Sequence, residues 1–90
     1  MNSETAVRAP AGDLAAIRQI LAKHGRLSVD AGGLPDHGDL YAAGLTSLAT
    51  VNVMLALENH FDIEFPDSML SRKTFASIES IAEAVAELVP

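Results

Sequence analysis

The sequence predicts an all-α fold: a small four-helix bundle, three helices long and one short, with a long loop between the first two. Three observations carry this. Apolar residues recur at three- and four-residue steps in three separate stretches. The hydrophobic content is 49% with aromatics at only 4%, which gives an Ala-rich, aliphatic interior that suits helices. Glycine and proline gather between the periodic stretches, where they punctuate rather than interrupt them.

The elements follow in chain order. Ninety residues are enough for one domain and not for two, so residues 12–90 are expected to form a single domain behind a flexible tail at 1–11. Asp13 can cap a first helix that carries Leu14, Ile17, Ile20 and Leu21 on one face, with Gly25 after His24 as its stop. Residues 25–40, GRLSVDAGGLPDHGDL, form the long irregular connection, with Leu27, Val29, Leu34 and Leu40 available to pin it to the core. A second helix starts near Thr46 and runs to about His60. FDIEFPD then reads as extended, because Pro66 blocks continuation. A short helical turn is expected over Asp67 to Leu70. Ser77 opens the last helix, in which Ile78, Ile81, Val85 and Leu88 make one stripe and Glu79, Glu83 and Glu87 another. Phe61, Phe65 and Phe75 are the few large anchors of the core.

Charge and composition exclude several functions. With 12 acidic against 6 basic residues the formal net charge is -6, which lacks the basic stripe a nucleic-acid binder needs to displace counterions from phosphates. Basic protein patches remain suitable partners. Without cysteine there is no disulfide framework and no thiolate metal site. The N-terminal MNSETAVRAPAGD has no long apolar segment, and no run approaches the roughly 18 apolar residues of a membrane span. The chain reads as soluble and unprocessed, with no membrane partner, a cytoplasmic location and a monomeric state.

The second helix carries the candidate site. At about 100° per residue, Val53, Met54, Leu57 and Phe61 form one apolar stripe, and Leu48, Val51 and Leu55 form another beside it. A bundle core needs only one stripe. Either the helix is buried on most sides, or the second stripe stays exposed as a docking surface directly after Ser47. At the helix start, Thr46 and Ser47 place two hydroxyls where one cap is required, and capping alone does not say which of them serves. Catalysis by Ser47 is disfavoured: GLTSL lacks the second glycine of a nucleophile elbow and no strand precedes it. His24 and His60 suit helix ends, where a partial positive charge is welcome. No metal site is expected either. In DHGDL the residues Asp36, His37 and Asp39 cluster, yet two residues after Asp30 stands Gly32 where a calcium loop needs Asp or Asn, and no Glu closes the loop.

The stretch DLYAAGLTSLATVNVMLALENHFDIEFPD resembles the signature of the acyl and peptidyl carrier proteins around their prosthetic-group serine. Asp39, Leu40, Gly44, Ser47, Leu48, Val51, Leu57, Glu58, Phe61, Ile63 and Pro66 sit at that family's spacing. The resemblance implies that Ser47 carries 4′-phosphopantetheine through a phosphodiester, and that the thiol of the arm holds an acyl or aminoacyl group as a thioester. Thr46 is then the helix cap and Ser47 is free for modification. Gly44 gives the backbone the freedom for a sharp entry, and its missing side chain leaves room for a modifying enzyme. The implied partners are a phosphopantetheinyl transferase, an amino-acid or acyl ligase and a downstream acyl or aminoacyl transferase, docking on Leu48, Val51, Leu55 and Glu58.

Two departures from the family narrow this. Thr46 stands where most carriers have an Asp, and Ala49, Asn52, Asn59 and His60 stand where fatty-acid carriers tend to show acids. Partners that read an acidic helix are therefore expected to bind it poorly. The chain is similar to the free-standing aminoacyl carrier proteins loaded by ligases related to aminoacyl-tRNA synthetases. The alternatives are an acyl carrier for fatty-acid, polyketide or nonribosomal synthesis, and a helical adaptor that uses the apolar stripe without a prosthetic group.

Overall fold

The computed structural model describes residues 10–89, with side chains from residue 14 onward. Three α-helices form the described part: α1 (Pro10–His24), α2 (Ser47–Phe61) and α3 (Ile78–Leu88). Two single turns of 3₁₀ helix, Ala31–Gly33 and Asp67–Met69, punctuate the connections, and no strand is present among the described residues. The all-α bundle is therefore the observed fold. Its expected short fourth helix is the 3₁₀ turn after Pro66, which is too brief to add a packing face.

The first helix begins earlier than expected. Pro10 opens it, so residues 10 and 11 belong to α1 and Asp13 lies inside the helix rather than at its cap. Proline suits the first helical turn because its φ is preset and that turn has no acceptor for its missing N–H. The rest of the expected tail, residues 1–9, lies outside the described residues. At the other end, Gly25 N–H donates to Leu21 O at 2.8 Å. The left-handed residue of this terminus is Arg26, at φ 51°. Gly25 is needed for space instead, since a Cβ there would lie 2.7 Å from the Leu21 carbonyl oxygen.

The helices pack where their periodicity points. α1 meets both α2 and α3. Ile17 and Leu21, Val53 and Leu57, and Ile78, Ile81 and Val85 are fully buried. Phe65 and Phe75 close one end, their ring centroids 5.6 Å apart and tilted by 54°, while Phe61 is only half-buried. α3 is fixed at its start by a reciprocal cap. Ser77 Oγ accepts from Ser80 N–H, and Ser80 Oγ accepts from Ser77 N–H, both at 3.0 Å.

The long connection is held less by its leucines than by one arginine. Leu40 is fully buried and Leu27 and Leu34 lean on the core, but Val29 is exposed and Ala31 takes the buried place. Arg18 of α1 donates through Nη1 to Ala31 O at 2.9 Å and Leu34 O at 2.6 Å, and through Nη2 to the Asp36 carboxylate. Asp36 O accepts from Glu79 N–H in the first turn of α3 at 3.0 Å, and Leu40 N–H donates to Ala76 O at 2.8 Å. The connection thus ties α1 to α3 and delivers the chain to the start of α2. Replacing Arg18 by Met keeps the aliphatic stem but leaves two partly buried carbonyls and a carboxylate without their donor. A loss of about 2 kcal/mol is expected from the usual cost of such groups, read as a lower midpoint in urea denaturation.

Candidate functional site

The site is the start of α2 and the cleft beside it. Leu40 and Leu45 are buried on either side of a tight turn in which Leu45 N–H donates to Leu40 O at 3.0 Å and Gly44 N–H to Tyr41 O at 3.1 Å. Gly44 has φ +111°, which only glycine adopts without strain. The absent side chain does not face an incoming enzyme, as the sequence suggested: a Cβ would point at Ser28, 3.1 Å from its N and 3.3 Å from its Oγ. Ser28 uses both groups to hold the turn, donating from N–H and Oγ to Ala43 O at 2.9 Å each. Gly44 therefore permits close packing of two backbone segments.

The two hydroxyls take different tasks. Thr46 is extended (φ −94°, ψ 168°) and its Oγ1 accepts from Ala49 N–H at 3.1 Å, which makes it the N-cap of α2. Ser47 is the first helical residue and is exposed. Its hydroxyl makes no hydrogen bond among the described residues, and the N–H groups of Ser47 and Leu48 likewise find no acceptor there.

Down the same helix, Leu48, Val51 and Leu55 are 75%, 48% and 53% exposed, whereas Val53 and Leu57 are fully buried and Met54 half-buried. Only one of the two apolar stripes enters the core. Glu58 has an internal occupation: its carboxylate accepts from Phe65 N–H at 2.8 Å and secures the segment after the left-handed Asp62. That bond, rather than a free charge on the helix face, is what the carboxylate contributes.

Beside Ser47 lies a cleft of about 340 Å³ between α2 and residues 70–75, lined in part by Thr50, Val51, Met54, Leu70 and Arg72. Tyr41 forms one side. Its hydroxyl donates to Arg72 O at 2.9 Å, and the Arg72 guanidinium carbon sits 3.9 Å from the ring centroid. Burial raises the Tyr41 phenol above its usual pKa; Arg72 opposes the shift and Asp39 adds to it. Neither residue was singled out from the sequence, since a Tyr and an Arg in polar loops carry no pattern. None of His24, His37 and His60 lines this cleft. His24 and His60 border a groove between α1 and α2, and His37 pairs with Glu79 at 2.9 Å. The DHGDL cluster is also dispersed: Asp36 meets Arg18, and Asp39 accepts from the N–H groups of Tyr41 and Ala42. No group of three or more potential metal ligands occurs among the described residues.

Comparison with known proteins bears on what such a helix start does. Residues 15–85 match the profile of the phosphopantetheine attachment site. The chain belongs to the phosphopantetheine-attachment family. Within it, the chain is 55% identical over 71 residues to an aminoacyl carrier protein of Agrobacterium fabrum, covering 79% of this chain and 86% of the relative. A D-alanyl carrier protein of Streptococcus mutans is 43% identical over 51 residues, 56% of this chain and 65% of that one. Among solved structures, the carrier protein from Agrobacterium tumefaciens in complex with an engineered Bradyrhizobium japonicum glycine:[carrier protein] ligase and AMP superposes with a TM-score of 0.79 at 53% identity. The match covers 81% of this chain and 97% of that one.

The family match together with the carrier-protein relative makes this chain a carrier that does no catalysis of its own, with covalent 4′-phosphopantetheine as its cofactor. The residues at the α2 start fit that group chemically: an exposed hydroxyl to esterify, two unpaired N–H groups at the positive end of a helix dipole for a phosphodiester anion, and no acid in the first turn to repel it. The described helices include none long and apolar enough to cross a membrane. Thr46→Ala removes the acceptor for Ala49 N–H and is expected to cost about 1 kcal/mol of stability. Thermal or urea unfolding of the unmodified protein checks this, and an unchanged curve would mean that Thr46 is not the cap.

Proposed function

We propose that Ser47 is the attachment site and that the protein is an aminoacyl carrier, loaded by a stand-alone amino-acid:carrier-protein ligase and unloaded by a downstream transferase. The observation that carries this reading is Ser47 itself, exposed and unbonded at the first position of a helix that another residue caps. When bound, the 4′-phosphopantetheine supplies a flexible arm whose thiol holds the aminoacyl group as a thioester. Thr46 keeps the helix start intact, the free N–H groups of Ser47 and Leu48 face the anionic root of the arm, and Gly44 with Ser28 fixes the turn that presents Ser47 outward.

The aminoacyl branch is supported by relatives named for aminoacyl and D-alanyl carriers, and by the likeness to a carrier in complex with a glycine:[carrier protein] ligase. It is supported also by the composition of α2, where Asn52, Asn59 and His60 leave few charges for partners that read an acidic helix. The docking face in this reading is Leu48, Val51 and Leu55, which no part of the fold covers among the described residues. The protein acts as a monomeric single domain that begins with α1, in the cytoplasm, where a transferase and a ligase both reach Ser47.

Intact mass after incubation with a phosphopantetheinyl transferase and coenzyme A tests the attachment. The wild type is expected to gain one phosphopantetheine, and Ser47→Ala to gain none while keeping its helical circular dichroism. A modified Ala variant would refute the assignment. The docking face is tested by loading rates of the modified protein with an amino-acid:carrier-protein ligase at two salt concentrations. Val51→Asp is expected to slow loading at least tenfold, about 1.4 kcal/mol in the transition state, because it forces an unpaired charge into an apolar contact. Glu58→Gln retains an acceptor for Phe65 N–H and is expected to load almost normally. Near-complete loss of wild-type loading in high salt would show instead that charge governs docking.

A further inference from the structure

The cleft beside Ser47 contains one charged side chain, Arg72. The remaining described cations are placed elsewhere. Arg18 is committed to the long connection, Lys23 lies in the groove between α1 and α2, Arg26 is exposed in the turn after α1, and Lys73 opens onto an adjoining depression beside His37 that shares Tyr41 and Arg72 with the cleft. Arg72 forms no ion pair among the described residues. In a protein of net charge -6, a cation without a carboxylate partner beside an exposed serine calls for an account.

Its setting suggests one. The guanidinium lies over the Tyr41 ring at 3.9 Å, and the Tyr41 hydroxyl holds the Arg72 carbonyl at 2.9 Å, so both the head and the backbone of this residue are steered by one aromatic side chain. Stacking uses the face of the guanidinium and leaves its five in-plane N–H donors available, in the geometry suited to phosphate oxygens. Asp39, the nearby acid, is already accepting from the N–H groups of Tyr41 and Ala42. Ser47, the first residue of α2, lines the same cleft from the helix side.

We propose that Arg72, stacked on Tyr41, is the positioning residue for the phosphodiester on Ser47, taking one of its charged oxygens while the first turn of α2 takes the other. The proposal rests on Ser47 being the attachment site. It makes the root of the arm a two-point anchor that directs the arm along the cleft past Thr50 and Val51, instead of leaving it to pivot freely about the serine. A cation lining the cleft also disfavours entry of the α-ammonium of an aminoacyl cargo, so the amine stays in solvent where an acceptor can reach it.

The test uses the intact chain in apo and phosphopantetheinylated forms, with mass spectrometry first establishing that Ser47 carries one arm. Absence of that mass gain would count against the attachment site and not against Arg72. In the modified wild type, the Arg72 Nε–H resonance is expected to move on modification while the Lys73 amide, on the neighbouring depression, stays in place. The ³¹P resonance is expected to be broader than that of a short phosphopantetheinyl-serine peptide, and to move toward the peptide value in Arg72→Gln and as salt is raised. Lys73→Gln serves as the control with an unchanged ³¹P signal. If Arg72 Nε–H is unmoved on modification, or if Arg72→Gln is folded and leaves the ³¹P shift and width at wild-type values, the anchor does not exist. The first readout needs no variant and so holds whether or not Arg72→Gln folds.

Discussion

The structure depends on the Arg18–Asp36 pairing and the bonds that continue from it. Three helices without a sheet leave residues 25–46 with a long run of polar backbone that no ladder can satisfy. Arg18 answers with a fork of donors that reaches two carbonyls and a carboxylate from one position on α1. Through Asp36 the same contact reaches the first turn of α3, and four residues later Leu40 is both buried and bonded to Ala76. The position of the α2 start is thus set from two other helices before α2 begins. A lysine would supply the charge at this place without the planar, multi-donor geometry.

The second helix shows how little core a carrier needs. It buries Ala49, Val53 and Leu57 on one side and leaves Leu48, Val51 and Leu55 in water on the other, so its apolar content exceeds what folding uses. Thr46 and Ser47 divide the duties of a helix entry in the same manner, one bonded inward and one left open.

Much of this was legible in the sequence, and most of what was missed lies in contacts between residues far apart in the chain. The α3 stripe of Ile78, Ile81 and Val85 was readable because a helix repeats its environment every three or four residues, and all three are buried. The spacing around Ser47 was readable as a family resemblance. Asp13 misled as a cap because Pro10, equally suited to a helix start, lay one turn earlier. Val29 was expected inside by hydrophobicity, but the turn at Ala31–Gly33 turns Ala31 inward instead. Glu58 matched the family spacing, yet its bond to Phe65 N–H depends on the left-handed Asp62 bringing the chain back, which no local pattern states. Arg18 and Arg72 went unread for the same reason, since their partners lie 13 to 18 and 31 residues away.

The small extent of the exposed stripe has a kinetic consequence. Three aliphatic side chains, two of them already about half covered, can each add about 1–2 kcal/mol on full burial, and association consumes several kcal/mol before any of it appears as affinity. A partner that grips this face alone dissociates quickly, since weak complexes differ from tight ones chiefly in their off-rates. On the proposed reading, in which a ligase and then a transferase use this face, short residence is what a shuttle requires, since the first partner must leave before the second can approach.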